Sequence, residues 1–304
     1  MGYTVKYMMA IVLSMFSLVQ TVGQSLPITA SAADYCKQGN LDEAWKKVGE
    51  ATNSQEAQHP YYWYVRGYVQ KEWYKSREST LRESTWRDSA ITSFETCLKR
   101  DTKGEYSNMT RLGVKYLGST YYNDALTFSQ QCDESTETQV LHLFARFEHC
   151  MKLASPEEDL LVYFKEVYRS IAQRYFTLWQ SDIDQVSYAH AAIRIYQEIL
   201  KRDDKDAEAW YNSAVALYNQ AVFRYRKLDS NTDMFDMITI QEECVKLIKK
   251  EALPHMQHAY DLQPERGDFA KAMMYMHRAL EHEKDVAYFR SEVERLIREG
   301  KFSQ

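Results

Sequence analysis

Apolar residues recur along most of this chain at the spacing of one face of an α-helix. The clearest copy is the segment YCKQGNLDEAWKKVGEA (35–51), in which Gly39 interrupts one helix. In the helix that follows, Ala44, Val48 and Ala51 form a stripe at positions i, i+4 and i+7. The pattern predicts two helices joined by a tight turn, with one apolar stripe on the second.

The same stripe spacing recurs four more times along the chain. The further copies are Ala90, Phe94 and Cys97; Ala125, Ser129 and Cys132; Ala192, Tyr196 and Ile199; and Ala252, Met256 and Ala259. Small residues allow two helices to approach closely, and the large residue between them fills the gap. The repetition predicts helix pairs that bury their apolar faces only by stacking on their neighbours.

Three helices that precede a stripe carry a second, weaker motif of an aromatic residue or leucine followed by a small residue. It is present as Trp63 with Gly67, as Leu112-Gly113 with Tyr116, and as Trp210 with Ala214. Together these motifs resemble tetratricopeptide (TPR) repeats, and the segment from Ala209 onward resembles the C-terminal part of exported bacterial TPR proteins. The resemblance implies an all-α fold: a right-handed TPR-type solenoid of antiparallel helix pairs, with extended helices at two insertions.

The spacing of the stripe alanines, set against a TPR period of about 34 residues, predicts the unit bounds. After a signal segment at 1–24, one solenoid is predicted over 25–304. Its units are predicted at 25–58, 60–103, 106–139, a degenerate 140–170, 171–205, 207–264 and a closing helix pair at 266–300. The insertion Lys75–Ser89 is expected to be extended and solvated, and the insertion 224–250 to form two lengthened helices that project beyond the solenoid.

The N-terminus has the layout of a secretory signal peptide. Lys6 precedes an apolar run from Met8 to Val22, which is shorter than the roughly 20 residues that cross a bilayer. An uncleaved anchor and a buried helix are the alternatives. No cysteine stands where a lipoprotein signal requires one, since Cys36 lies too far on. We therefore expect an exported chain, located in the periplasm or associated with the cell envelope.

Charge and cysteine content limit the kinds of partner and site that the sequence predicts. The net charge is -5 and no basic stripe is present, so nucleic acid is not an expected partner. The five cysteines are an odd number at no metal-like spacing, and Cys97 and Cys132 are expected to be reduced core residues.

The histidine and cysteine motifs of the sequence are better explained by packing than by catalysis or metal binding. His255 and His258 lack the spacing and the acid of a zinc protease and are expected on a helix surface. The stretch Glu281-His282-Glu283 makes no ligand set by itself, and Cys150 has no base placed to activate it. The sequence therefore predicts a non-enzyme with no catalytic residues, no cofactor and no metal.

In TPR arrays the first helices of successive units line a concave face, which predicts where a partner binds. The candidates on this face are Tyr61, Tyr64, Tyr68 and Lys71 on one helix, and Tyr211, Tyr218 and Asn219 on another. The predicted function is a protein-protein interaction scaffold that binds a protein or peptide. The alternative is a glycan-binding protein related to TPR-containing outer-membrane glycan receptors, which the aromatic content of 13% would suit.

Overall fold

The computed structural model describes residues 26–303, and the signal segment predicted at 1–24 lies outside them. Every regular element in the described range is helical, which confirms the all-α prediction. The α-helices are α1 Pro27–Lys37, α2 Leu41–Thr52, α3 Pro60–Trp73, α4 Thr85–Arg100, α5 Ser107–Ser129, α6 Glu137–Ala154, α7 Leu161–Ser181, α8 Val186–Arg202, α9 Ala207–Arg226, α10 Met234–Leu247, α11 Leu253–Leu262, α12 Gly267–Ala279 and α13 Glu283–Arg298. A 3-10 turn, Gln55–Gln58, precedes α3; the π-helical turn Tyr74–Glu78 extends α3, and a second, Ile248–Ala252, joins α10 to α11.

The described residues form two compact units. The first contains the residues up to Asp124 together with 143–158, and the second contains 125–142 together with the residues from Asp159 onward. Consecutive helices pack as adjacent pairs: α1 with α2 and α3 with α4 in the first unit, α7 with α8 and α12 with α13 in the second. Short turns join α1 to α2, α7 to α8 and α12 to α13, so the members of these pairs run antiparallel, whereas a longer segment joins α3 to α4.

Helix ends lie where the sequence provides caps. Gly39 adopts a left-handed conformation (φ 79°) at the turn between α1 and α2, which a residue with a side chain rarely adopts. The Asn40 side chain accepts a hydrogen bond from the backbone N–H of Glu43 at the start of α2. Asp206 caps α9 in the same way by accepting from the Ala209 N–H at 2.9 Å.

All five predicted stripes are buried, and none of their residues is more than 3% exposed. In the first unit the reason is visible at Phe94, whose ring lies between the backbones of α3 and α5. A Cβ added to Gly67 would lie 2.6 Å from Phe94 Cδ1, and one added to Gly113 would lie 2.7 Å from Phe94 Cζ. The two glycines are therefore close-approach positions that hold three helices around one ring.

The predicted bounds in the middle of the chain are wrong. Ala125 and Ser129 lie near the end of α5, a single helix of 23 residues, and Cys132 lies in the loop that follows. The predicted unit 106–139 thus contains one long helix instead of two, because no turn residue interrupts it. Its glycines are packing positions: a Cβ on Gly118 would lie 2.8 Å from Cys150 Cβ on α6.

The bounds of the next helix pair therefore also differ from the predicted ones. The helix α6 ends at Ala154, and α7 begins at Leu161 and packs against α8. This pair covers 161–202, so the predicted divisions at 140–170 and 171–205 cut through α7.

Most side chains of the first insertion, Lys75–Ser89, are exposed, as its charge predicts, but the segment is not extended, since it contains the π-helical turn and the start of α4. Arg87, within Lys75–Ser89, is completely buried. Its Nη1 donates to Asp124 Oδ2 at 2.6 Å and to Thr120 Oγ1 at 3.3 Å, and its guanidinium carbon lies 3.7 Å from the centroid of the Tyr121 ring. A buried charge persists in a protein when it is paired and hydrogen-bonded. Arg87 therefore fastens the insertion to α5.

The second insertion does form two lengthened helices. The helix α9 extends to Arg226, and α10 begins at Met234 after a turn in which Asp229 Oδ1 accepts from the Asn231 N–H at 2.9 Å. The two helices contact each other through the C-terminal half of α10, where Cys244 Sγ lies 3.2 Å from the carbonyl oxygen of Ala221.

Removing the carboxylate of Asp124 should be costly, because it leaves the fully buried Arg87 guanidinium without its anion. We expect Asp124→Ala to lower the free energy of unfolding by about 3–5 kcal/mol in a urea melt. The matched control is Asp42→Ala, which removes an exposed partner of Arg77 (3.1 Å) and should cost less than about 1 kcal/mol. Equal costs for the two substitutions would contradict the buried pair.

All five cysteines are free and buried, so thiol reagents should label them slowly in the folded chain. Burial raises the pKa of Cys36 and Cys150 to about 12, and that of Cys97 and Cys132 to about 11, which keeps the reactive thiolate scarce at neutral pH. Labelling followed by mass spectrometry should show five modified thiols in denaturant and a slow rise without it. Rapid labelling of Cys97 or Cys132 under native conditions would show that these residues do not lie in the core.

Candidate partner-binding surfaces

The tyrosines predicted on the concave face lie in a row along α3. The centroids of Tyr61 and Tyr64 are 6.3 Å apart, and those of Tyr64 and Tyr68 are 6.2 Å apart. Tyr61 is only 3% exposed, and its ring lies 5.4 Å from that of Tyr106, just before α5. Its assignment to a binding face is therefore wrong, because the neighbouring segment covers this end of the row. Tyr64 is also turned inward, with its ring 6.4 Å from that of Phe94.

The open end of this face is formed by other residues. Tyr68 and Lys71 are half-buried, and Lys71 Nζ lies 4.9 Å from the Tyr68 ring centroid and 5.3 Å from that of Tyr116 on α5. Lys71 also pairs closely with Glu72. Beside them, Tyr116 is 39% and Leu112 is 53% exposed. The accessible surface on α3 is therefore the Tyr68–Lys71 end, completed by α5.

Burial fixes the protonation state of the row. It raises the pKa of Tyr61 and Tyr68 to about 12 and raises that of Tyr64 further. The three hydroxyls are neutral at physiological pH, so the row offers rings and hydroxyl groups but no negative charge.

The candidates on α9 are half-buried at the edge of the core of the second unit. Tyr211 stacks on Phe269, with centroids 4.6 Å apart and rings inclined by 20°. Tyr218 packs against the same core, and Asn219 is partly exposed next to it. Tyr211 is therefore mainly a packing residue, whereas Tyr218 and Asn219 are partly exposed to solvent.

The histidine pair of α11 lies on either side of Trp210. The Trp210 ring centroid is 4.9 Å from that of His255 and 4.8 Å from that of His258. His255 is half-buried, burial lowers its pKa, and its Nδ1 is 3.1 Å from Ser213 Oγ. The predicted surface position is therefore correct only for His258. Because Ser213 is completely buried, this Ser–His contact is a packing hydrogen bond.

A polar pocket of about 550 Å³ opens where α6 begins, beside α7 and α8. At its centre, Glu137 Oε2 accepts hydrogen bonds from Tyr175 OH and Arg194 Nη2, both at 2.6 Å. Burial raises the pKa of Glu137, but the bonds from Arg194 and Tyr175 outweigh it and hold the pKa below its usual value. The carboxylate is thus ionised and already paired. Its neighbours Glu134 and His190 also line the pocket.

The far end of the α9–α10 hairpin exposes a group of large apolar side chains. They are Met234 (72% exposed), Phe235 (79%), Met237 (39%) and Ile238 (45%) on α10, with Tyr225 (52%) on α9. We call this group the hairpin patch. Within α10 only Cys244 is buried. The sequence analysis missed the patch, although the run MFDMITI in a segment expected to project was a usable signal.

Between residues 26 and 303, one group of three potential metal-ligand side chains comes together, namely His277, His282 and Asp285 at the turn between α12 and α13. No helix in the described part of the chain has both the length and the apolar character needed to cross a bilayer.

Replacing Tyr61 should reveal its core position. We expect Tyr61→Ala to lower the free energy of unfolding by about 3–5 kcal/mol, as for other buried aromatic residues. Tyr225→Ala, at the exposed end of the hairpin, should change it by less than about 1 kcal/mol. Urea melts of both variants test this. A Tyr61→Ala variant as stable as the parent would show that Tyr61 lies on the surface.

No family model matches this chain, and no curated protein matches it. One solved structure that it resembles is described as the structure of Naa15/Naa10 bound to HypK-THB. The match has 14% identity and a TM-score of 0.19, and it covers 91% of this chain and 59% of that one. This chain therefore spans about three fifths of the length of the structure it matches. A likeness at this level identifies neither a family nor a partner.

Proposed function

We propose that this chain is a non-enzymatic protein-interaction scaffold of TPR-like helix pairs, and that the hairpin patch is its main docking surface. The observation that carries the proposal is the exposure of Met234 and Phe235, more than 70% each, at one end of a helix hairpin. Burial of such side chains is favourable, so a concentrated exposed group indicates a surface that another molecule covers.

The composition of the hairpin patch favours a protein. Methionine and aromatic residues are enriched in the cores of protein interfaces, and flexible methionines adapt to a partner's shape. Exposed charges of both signs border the apolar end of α10, namely Asp229, Asp233 and Asp236 together with Arg226 and Lys227. The partner that fits best therefore presents apolar side chains surrounded by charged residues of both signs.

The hairpin is held in place before any partner binds. Cys244, Ile248 and Ala252 anchor the α10 side in the core of the second unit, and Arg224 Nη2 pairs with Glu243 Oε2 across the hairpin at 2.5 Å. A preorganised surface loses less conformational entropy on binding than a flexible segment does.

Two further elements belong to the proposal. The Tyr68–Lys71 end of α3, with Tyr116 and Leu112, is a second contact surface on the first unit. We also propose that the protein works in the periplasm or cell envelope, a location supported by the signal-like layout of residues 1–24. The argument for a glycan partner is the aromatic content of the chain. Because Tyr61, Tyr64 and Tyr211 pack against other rings of the chain, we favour a protein partner.

Charge reversal in the hairpin patch tests the main proposal. Cross-linking from a Phe235 position identifies a partner, which is then purified. Its affinity for the Phe235→Asp, Ile238→Asp double variant should fall at least 10-fold relative to the parent, because two carboxylates would be buried in an apolar contact. Val162→Asp, at a residue 68% exposed on α7, is the matched control and should bind normally.

Both variants should unfold at the parent's urea concentration, since the substituted side chains are exposed. A partner that binds the double variant as tightly as the parent would place the docking surface elsewhere. Binding to phospholipid vesicles in place of any protein would overturn the proposal.

A further inference from the structure

The turn between α12 and α13 brings two histidines together through an identifiable backbone motif. The His282 N–H donates to the His277 carbonyl at 3.0 Å, and the Glu281 N–H donates to the Arg278 carbonyl at 3.1 Å. These are the two bonds of a Schellman motif, which ends many helices. In that motif the side chains corresponding to His277 and His282 meet, and they usually form an apolar contact. Here both positions are histidine.

The motif is also strained in this chain. Its left-handed position is normally glycine, but Glu281 occupies it with φ 58°, and it is the one non-glycine residue with positive φ between 26 and 303. The turn therefore keeps a conformation that its own sequence does not favour locally, and this conformation sets the separation of the two imidazoles.

Three ligand atoms converge at this turn. His277 Nδ1 lies 3.1 Å from His282 Nδ1, and Asp285 Oδ2 lies 3.6 Å from the first nitrogen and 4.0 Å from the second. The point equidistant from these three atoms is about 2.1 Å from each, which matches the Zn–N and Zn–O bond lengths of protein sites. The triangle is thus close to the size that one bound zinc ion requires, and a tetrahedral ion needs its two longer edges to shorten slightly.

We propose that His277, His282 and Asp285 form a binding site for a single zinc ion, with a fourth position left to water or to a ligand from a partner. Two imidazoles and a carboxylate suit Zn²⁺ and do not suit Mg²⁺ or Ca²⁺, which prefer all-oxygen sites. Sites with three protein ligands are open sites, and here the opening is on the solvent side.

The surroundings support the assignment of ligand roles. His277 is 8% exposed, and its ring stacks on Phe289 of α13 with centroids 5.4 Å apart and an inclination of 14°. This stacking fixes the inner imidazole. The other two ligands are accessible, with exposed side-chain fractions of 39% for His282 and 53% for Asp285. An ion can therefore enter from solvent, and the exposed carboxylate can rotate to shorten the two longer edges.

Zinc would connect the closing helix pair across its turn. His277 lies in the last turn of α12, His282 at the start of α13, and Asp285 in the first turn of α13. A bound ion would link both helices and offset the strain at Glu281, so the pair should become more resistant to unfolding when zinc is present.

Titration of the metal-free full chain with Zn²⁺ tests the site. Calorimetry should show one ion per chain, the thermal midpoint should rise with zinc and return after chelation, and Co²⁺ should give the visible absorption of a four-coordinate site. The double variant His282→Ala, Asp285→Ala should bind Zn²⁺ at least about 100-fold more weakly, because two of three ligands are lost. Both residues are accessible, so this variant should fold, whereas a substitution of the buried His277 is not needed.

His142→Ala on α6 is the matched control, because His142 is an exposed histidine of the same unit that is not part of the cluster. It should bind Zn²⁺ like the parent. Absence of saturable binding by the parent would show that the two imidazoles form only a hydrogen-bonded pair. Zinc affinity unchanged in the double variant, or reduced as much by His142→Ala, would place the ion elsewhere and overturn the site.

Discussion

The close approach of helices at small residues is the constraint on which the rest of the structure depends. Phe94 shows it most directly, since its ring fills the space between Gly67 and Gly113 and neither glycine leaves room for a Cβ. The stripe residues Ala192 and Ala252 are completely buried in the second unit as well. Each helix pair has an apolar face that water would contact if the pair stood alone, and the small residues allow neighbours to cover it at van der Waals distance.

The buried charges Arg87 and Glu137 both have partners within this packing. In the first unit Arg87 Nη1 donates to Asp124, although the buried Nε of the same guanidinium has no hydrogen-bond partner, and in the second unit the carboxylate of Glu137 accepts from both Tyr175 and Arg194. Removing a partner from such a group is costly, whereas the pair itself adds little net stability relative to an apolar contact. The effect of these pairs is therefore to specify which helices meet. Arg87 fastens an insertion whose composition alone would leave it in solvent.

Features that repeat at a fixed spacing can be predicted from this sequence. Contacts between residues on different helices cannot. The stripes were predictable because a buried helix face repeats at a fixed spacing. The bounds of α5 were not, because the stripe spacing predicts a second helix at Ala125 and Ser129, whereas the structure continues one helix from Ser107 to Ser129. Tyr61 was misassigned for a related reason, since its cover comes from Tyr106 on another segment. The contact of His277 with His282 depends on a left-handed backbone at Glu281, which no periodicity shows.

The two proposed sites lie in the same unit and differ in how the fold treats their side chains. At the α12–α13 turn, the fold positions imidazoles where helix ends usually place apolar residues, and the stacking of His277 on Phe289 makes one ligand part of the core. At the end of α10 the reverse holds, because Phe235 and Met234 are apolar residues held in solvent by a hairpin anchored through Cys244. Neither arrangement is explained by a gain in the stability of the local structure. Each is a departure from the rule that apolar groups are buried and polar groups are solvated, and such departures in an otherwise well-packed chain are where binding is expected.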